Sequence, residues 1–150
     1  LIMFECERIT RDVSSFAGLS FSGPFPQSFP SEAVKVSQQL GSRKSEFSTN
    51  INTDVVFCPY YVCDNLATYF ACYEVLEGSV IPEGMVCFSL PARTYAKATC
   101  TNKTIGDGYG LVFDWIQKQG YKQLNDACSI EIFYIEEEGE EKVELLIPIE

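Results

Sequence analysis

One order of elements is written twice along this chain, and a fold must satisfy both copies at once. In the first copy an extended segment covers about residues 4–21, with Gly18 and Gly23 suited to a bend or bulge, and Gly23-Pro24-Phe25-Pro26 ends it. Ser31, followed by the acidic Glu32, marks a helix start, and Ala33, Val36, Leu40 and Phe47 supply an apolar stripe at helical spacing. Two strands, 55–63 and 68–76, then flank the turn Asp64-Asn65. After a linker rich in Gly and Pro, residues 77–84, the order repeats. An extended segment at 85–101 is interrupted at Pro91, and a helix follows over 105–119. Its inward stripe is Ile105, Tyr109, Val112 and Ile116, with Leu111 and Trp115 on an adjoining face and Gly120 as the cap. Strands 129–136 and 143–149 around an acidic hairpin with Gly139 complete the second copy.

Two β-α-β-β units predict an α+β fold: a duplicated module with an antiparallel sheet, two helices on one face and a ligand groove on the other. With 150 residues the chain is long enough for one compact domain over 1–150, its halves at about 1–77 and 84–150. A domain of this size buries roughly 68–70% of its unfolded surface, so neither disulfides nor metals are required to hold it.

Charge narrows the partners. The chain has 21 acidic residues against 11 Lys plus Arg, a formal charge of -10. Such a surface repels phosphate, so no direct nucleic-acid contact is expected, while cations concentrate near any cleft. No run of about 18 apolar residues is present, and the first residues lack the basic flank and apolar core of a signal peptide; no membrane partner and a cytoplasmic location are expected. Asn102-Lys103-Thr104 is then a chance match to a glycosylation signal. The chain begins with Leu, which leaves an upstream domain open.

Seven cysteines form an odd set without C-x-x-C, and Cys72, Cys87 and Cys100 sit in apolar, strand-like runs, as reduced thiols do. With no His and only the oddly spaced Cys58 and Cys63 as neighbours, no metal site is expected. Gly106-Asp107-Gly108-Tyr109-Gly110 lacks the spacing of a dinucleotide loop, and no cofactor is expected.

The absence of His also removes His-dependent nucleophilic triads. Attention therefore falls on Glu131, set between Ile130 and Ile132 in a run otherwise fit for a sheet interior. A buried carboxylate without a partner costs several kcal/mol. Its same-face neighbours Ser129, Phe133 and Ile135 are too apolar for open water and fit the floor of a groove. Glu74 is a second candidate, with an exposed strand position as the stronger reading. The acidic stretch 136–141 reads as a solvated hairpin tip. Eight Tyr, eleven Phe and one Trp supply either ordinary core or, around a carboxylate, the walls of a site for a lipophilic cation.

Several short stretches, in order, resemble the GyrI-like, or AraC-type effector-binding, small-molecule-binding domain family. They are A-G-L at Ala17, A-C-Y-E-V at Ala71, I-P-E-G at Ile81, P-A-R-T-Y-A at Pro91, D-W-I-x-x-x-G-Y at Asp114, E-I-F at Glu131 and E-L-L-I-P-I at Glu144. The resemblance covers nearly the whole chain and implies the duplicated module inferred above. It further implies a groove for drugs and other amphipathic, often cationic molecules, in proteins that are either fused to DNA-binding regions or stand alone. The family's pocket carboxylate maps onto Glu131, with Phe133 where Tyr is common, and its helix Trp onto Trp115. Position 73, often small or aliphatic in the family, is Tyr here. Tyr60, Tyr69, Tyr73 and Tyr95 are placed by strand position as the remaining aromatic wall. The resemblance leaves two alternatives: hydrolysis of strained cyclopropane rings, with Glu131 as the catalytic carboxylate, and inhibition of a protein partner such as DNA gyrase.

Overall fold

The computed structural model describes residues 4–150. Its strands and helices are β1 (Glu5–Arg11), β2 (Ser14–Pro24), α1 (Ser31–Ser42), β3 (Val55–Cys63), β4 (Leu66–Val75), β5 (Val86–Leu90), β6 (Arg93–Thr101), α2 (Ile105–Gln119), β7 (Ser129–Tyr134) and β8 (Lys142–Ile149). The fold is α+β. The strands form one antiparallel sheet in the order β1-β6-β8-β7-β3-β4-β2-β5.

Each long extended segment of the sequence is two strands. The second breaks at residues 91–92, where Pro91 removes a ladder donor. The first breaks at residues 12–13 and not at Gly18 or Gly23, both of which lie inside β2. Gly18 is a close-approach position: a Cβ there would stand 2.0 Å from the Ala71 carbonyl oxygen. The two strands of each pair then part. β1 pairs with β6 of the second half, and β5 with β2 of the first, so each half lends its first strand to the edge of the other.

That exchange bends the sheet. β1 and β2 are six strand spacings apart in the sheet, roughly 29 Å if it were flat. The connection between them, residues 12–13, spans at most about 11 Å. The same mismatch recurs between β5 and β6. The sheet must therefore curl, and side chains meet across the curl: the Arg11 guanidinium of β1 lies 5.2 Å from the centre of the Phe57 ring on β3 and 3.6 Å from Glu74 Oε2 on β4.

The concave face is filled by Phe16, Phe57, Cys72, Tyr95, Ile130, Ile132 and Leu146. The convex face carries both helices. Val36 and Leu40 of α1 pack on Ala17, Ala71 and Tyr73, and Val112 and Ile116 of α2 pack on Ala96, Ala98, Leu145 and Ile147. This corrects one expectation, since among the described residues the face opposite the helices is filled by its own side chains. The cavity lies on the helix face, between α1 and α2.

Local chemistry fixes α2 as the sequence predicts. Gly120 adopts the left-handed conformation at φ 74°, and the N–H groups of Gly120 and Tyr121 close on the Gln117 and Ile116 carbonyls. At its other end Gly108 brings the helix down onto the sheet: a Cβ there would lie 2.8 Å from Cys100 Sγ and 2.9 Å from Leu145 Cδ1.

Candidate functional site

A cavity of about 1010 Å³ opens between the two helices, floored by β3, β4 and β7. Alternation along the strands decides what faces it. Glu131 is paired with Cys58, so its side chain points to the helix face while Ile130 and Ile132 enter the concave core. Tyr60 and Tyr69 are paired across β3 and β4, and their rings stack at 6.2 Å. Phe29, from the segment before α1, adds a ring 6.0 Å from Tyr69. Across the cavity Tyr109 and Phe113, one helical turn apart on α2, stack at 6.1 Å. The rim is apolar and wet: Val34 is 52% exposed and Phe113 43%.

At the floor the hydroxyls converge on the carboxylate. Tyr69 donates to Glu131 Oε1 at 2.9 Å, and Tyr109 donates to Oε2 at 2.5 Å. The Tyr60 and Tyr109 hydroxyl oxygens stand 2.7 Å apart. Because the one hydroxyl proton of Tyr109 goes to Glu131, Tyr60 is the donor in that contact. The result is a chain from Tyr60 through Tyr109 to Glu131, with Tyr69 on the second oxygen.

The electrostatics are unusual in one respect: among the described residues no Lys or Arg pairs with Glu131. The residue is partly accessible from the cavity, yet its carboxyl is enclosed by protein on the other sides. Burial raises its pKa above the ordinary carboxylate value, and the hydrogen bonds from Tyr109 and Tyr69 offset only part of that rise. Burial likewise pushes Tyr60 up to about 12 and Tyr69 and Tyr109 well above the usual phenol, so all three remain donors at neutral pH.

The structure brings together Glu131, Tyr60, Tyr69, Tyr73 and Phe133 of the residues singled out in sequence. Trp115 and Tyr95 lie elsewhere. Trp115 follows Tyr109 by six residues, which turns it away from Tyr109, and it packs on Tyr121 at 5.4 Å. Tyr95 points into the concave core because Ala96 and Ala98 take the helix face of β6. Glu74 faces Arg11 across the curl. Four aromatic residues of the cavity, Phe25, Phe29, Tyr109 and Phe113, were not picked out in sequence as site residues. Tyr109 was read only as part of a helix stripe, although a phenol among aliphatic neighbours needs a partner for its hydroxyl. Phe113 shares its face at i+4, Phe25 sits in the segment 23–26 read as a stop, and Phe29 lies between that stop and the helix start at Ser31.

The sequence matches the family model of Cass2, the integron-associated effector binding protein, over residues 9–149. The chain belongs to this effector-binding family. No curated protein matches the chain significantly in sequence. Solved structures share the fold of this Cass2-family chain at low identity. SAV2435 bound to tetraphenylphosphonium superposes with a TM-score of 0.74 at 11% identity, covering 97% of this chain and 94% of that one. The EcmrR C-terminal domain gives 0.68 at 16%, covering 100% and 98%. A hydrolase from Listeria innocua gives 0.60 at 11%, covering 97% and 92%. No helix of the Cass2-family chain, among the described residues, is long and apolar enough to cross a membrane.

Proposed function

We propose that this chain binds amphipathic organic cations in the cavity between α1 and α2, as an effector-sensing unit that stands alone or serves a DNA-binding partner. The observation that carries the reading is Glu131: an enclosed carboxylate that faces an aromatic cavity with phenols for partners and, among the described residues, no Lys or Arg paired to it. A cation with apolar substituents supplies the missing charge, its body covered by ring faces and by the exposed apolar rim. The structural neighbour that holds tetraphenylphosphonium supports the reading. A cytoplasmic setting is supported by seven cysteines, all unpaired.

The test is calorimetric titration of wild type and Glu131→Gln with tetraphenylphosphonium and with a neutral aromatic compound of similar size. The variant should lose about 1.5–3 kcal/mol of affinity for the cation and much less for the neutral compound. Equal losses for both would sink the cation reading. Hydrolysis draws less support, because both carboxylate oxygens already accept phenol hydrogens and a water nucleophile would have to share them. Turnover of a strained electrophile, abolished in Glu131→Gln with binding retained, would reverse that ranking.

A further inference from the structure

The cavity floor carries a second level of selectivity, set by how the carboxylate is already occupied. A carboxylate offers about four lone-pair sites, and an ammonium group brings up to three N–H donors that must be matched once it leaves water. Here one lone pair on each oxygen of Glu131 is committed inside the protein, to Tyr69 at 2.9 Å and to Tyr109 at 2.5 Å. Tyr109 is in turn held by Tyr60 at 2.7 Å, which fixes the direction of its proton. Around this base the lining is dominated by ring faces and aliphatic groups, such as Phe29, Phe113 and Phe133. Ring faces attract positive charge but satisfy N–H donors poorly.

We propose that Tyr69 and Tyr109, by occupying both oxygens of Glu131, make the site selective for cations without N–H donors, such as quaternary ammonium and phosphonium, over primary ammonium ions of the same body. The inference rests on the cation reading of the cavity and adds a rule about the cation's head group. A quaternary centre is drawn by the charge of Glu131 and by the rings and has no hydrogen bond to lose on leaving water. A primary ammonium brings three donors to the about two lone pairs left on Glu131, so it must either displace a phenol or leave a donor unmatched by the carboxylate, and each unmatched polar group is costly in a water-poor site. Tyr69 and Tyr109 thus act as specificity-determining residues through the carboxylate they hold.

The experiment compares three biphenylmethyl compounds by calorimetry: the trimethylammonium ion, the primary ammonium ion and the neutral alcohol. Wild type should bind the trimethylammonium ion on the order of tenfold or more tighter than the primary ammonium. Tyr109→Phe, which releases Oε2, should narrow that gap by at least about threefold, mainly through tighter binding of the primary ammonium. Tyr69→Phe, which releases Oε1, should act in the same direction and stands in if Tyr109→Phe fails to fold by circular dichroism. Primary ammonium binding as tightly as trimethylammonium to wild type overturns the proposal, as does a gap unchanged in the folded phenylalanine variants. The alcohol binding as tightly as the trimethylammonium ion overturns the cation reading itself, which separates the two failures.

Discussion

Glu131 and Glu144 stand on neighbouring strands, one facing the cavity and the other facing the concave side of the sheet. In register Glu131 opposes Leu145, and Ile132 opposes Glu144. Each accepts a hydrogen bond from a tyrosine, Glu144 from Tyr134. Glu144 is only 7% exposed, the more covered of the two, and it has a cation: Lys97 Nζ lies 3.0 Å from its carboxylate and 2.8 Å from that of Glu7. Their acidities diverge accordingly. Burial pushes both carboxyls up, but at Glu144 the Tyr134 hydrogen bond and Lys97 together bring it below the ordinary value, whereas at Glu131 the phenols alone leave it above. At Glu131 two phenol hydrogen bonds do not offset burial, whereas at Glu144 one phenol together with Lys97 does. One face carries its cation as a lysine; on the other, no Lys or Arg among the described residues takes that position.

The comparison breaks most visibly if Glu144 is deprived of its lysine. Lys97→Met should cost about 3 kcal/mol in urea unfolding, because it leaves a covered carboxylate unpaired. A loss below about 1 kcal/mol would mean that Tyr134 and solvent suffice, and that the lysine does not distinguish the two sites. The pH dependence of stability should next separate the two carboxylates by sign. Glu131 titrates higher in the folded state than in the unfolded one, so its contribution is present below the ordinary value of 4.5 and is lost as pH rises through its raised pKa. Glu144 titrates lower, so its contribution is present above 4.5 and is lost as pH falls through its depressed pKa. Glu131→Gln should accordingly flatten the decline in urea midpoint as pH rises above 4.5 through the raised pKa, and an unchanged slope would refute the raised pKa assigned to Glu131. The smallest effect belongs to Trp115→Phe, which should change cation affinity by less than about twofold, since the indole packs on Tyr121 away from the cavity. A loss beyond about fivefold would bring that residue back into the site.

Much of this contrast was legible in the chain. The bounds of α2 followed from its stripe and Gly120, and Glu131 stood out because a carboxylate in an apolar strand requires a reason. Strand periodicity also placed Phe133 and Ile135 beside it on the cavity face. What periodicity cannot provide is which face each alternate set takes up. Small residues under α2, Ala96 and Ala98, hand the far face to Tyr95, and that choice depends on a helix that packs from elsewhere in the sequence. The side of the cavity was misplaced for a related reason. A flat sheet would have left its second face bare, and the curl arises from strand pairings between halves that leave no local signature beyond two short connections.

Those pairings make the two halves inseparable. Severing the linker at residues 77–84 would not release two small domains, because β1 would remain paired to the sheet of the other fragment and β5 to that of the first. Each fragment alone would expose the backbone groups of a strand edge that its absent partner normally covers. The molecule is topologically a pair of arm-exchanged protomers joined by a tether, and that tether keeps each arm at high effective concentration near its distant dock.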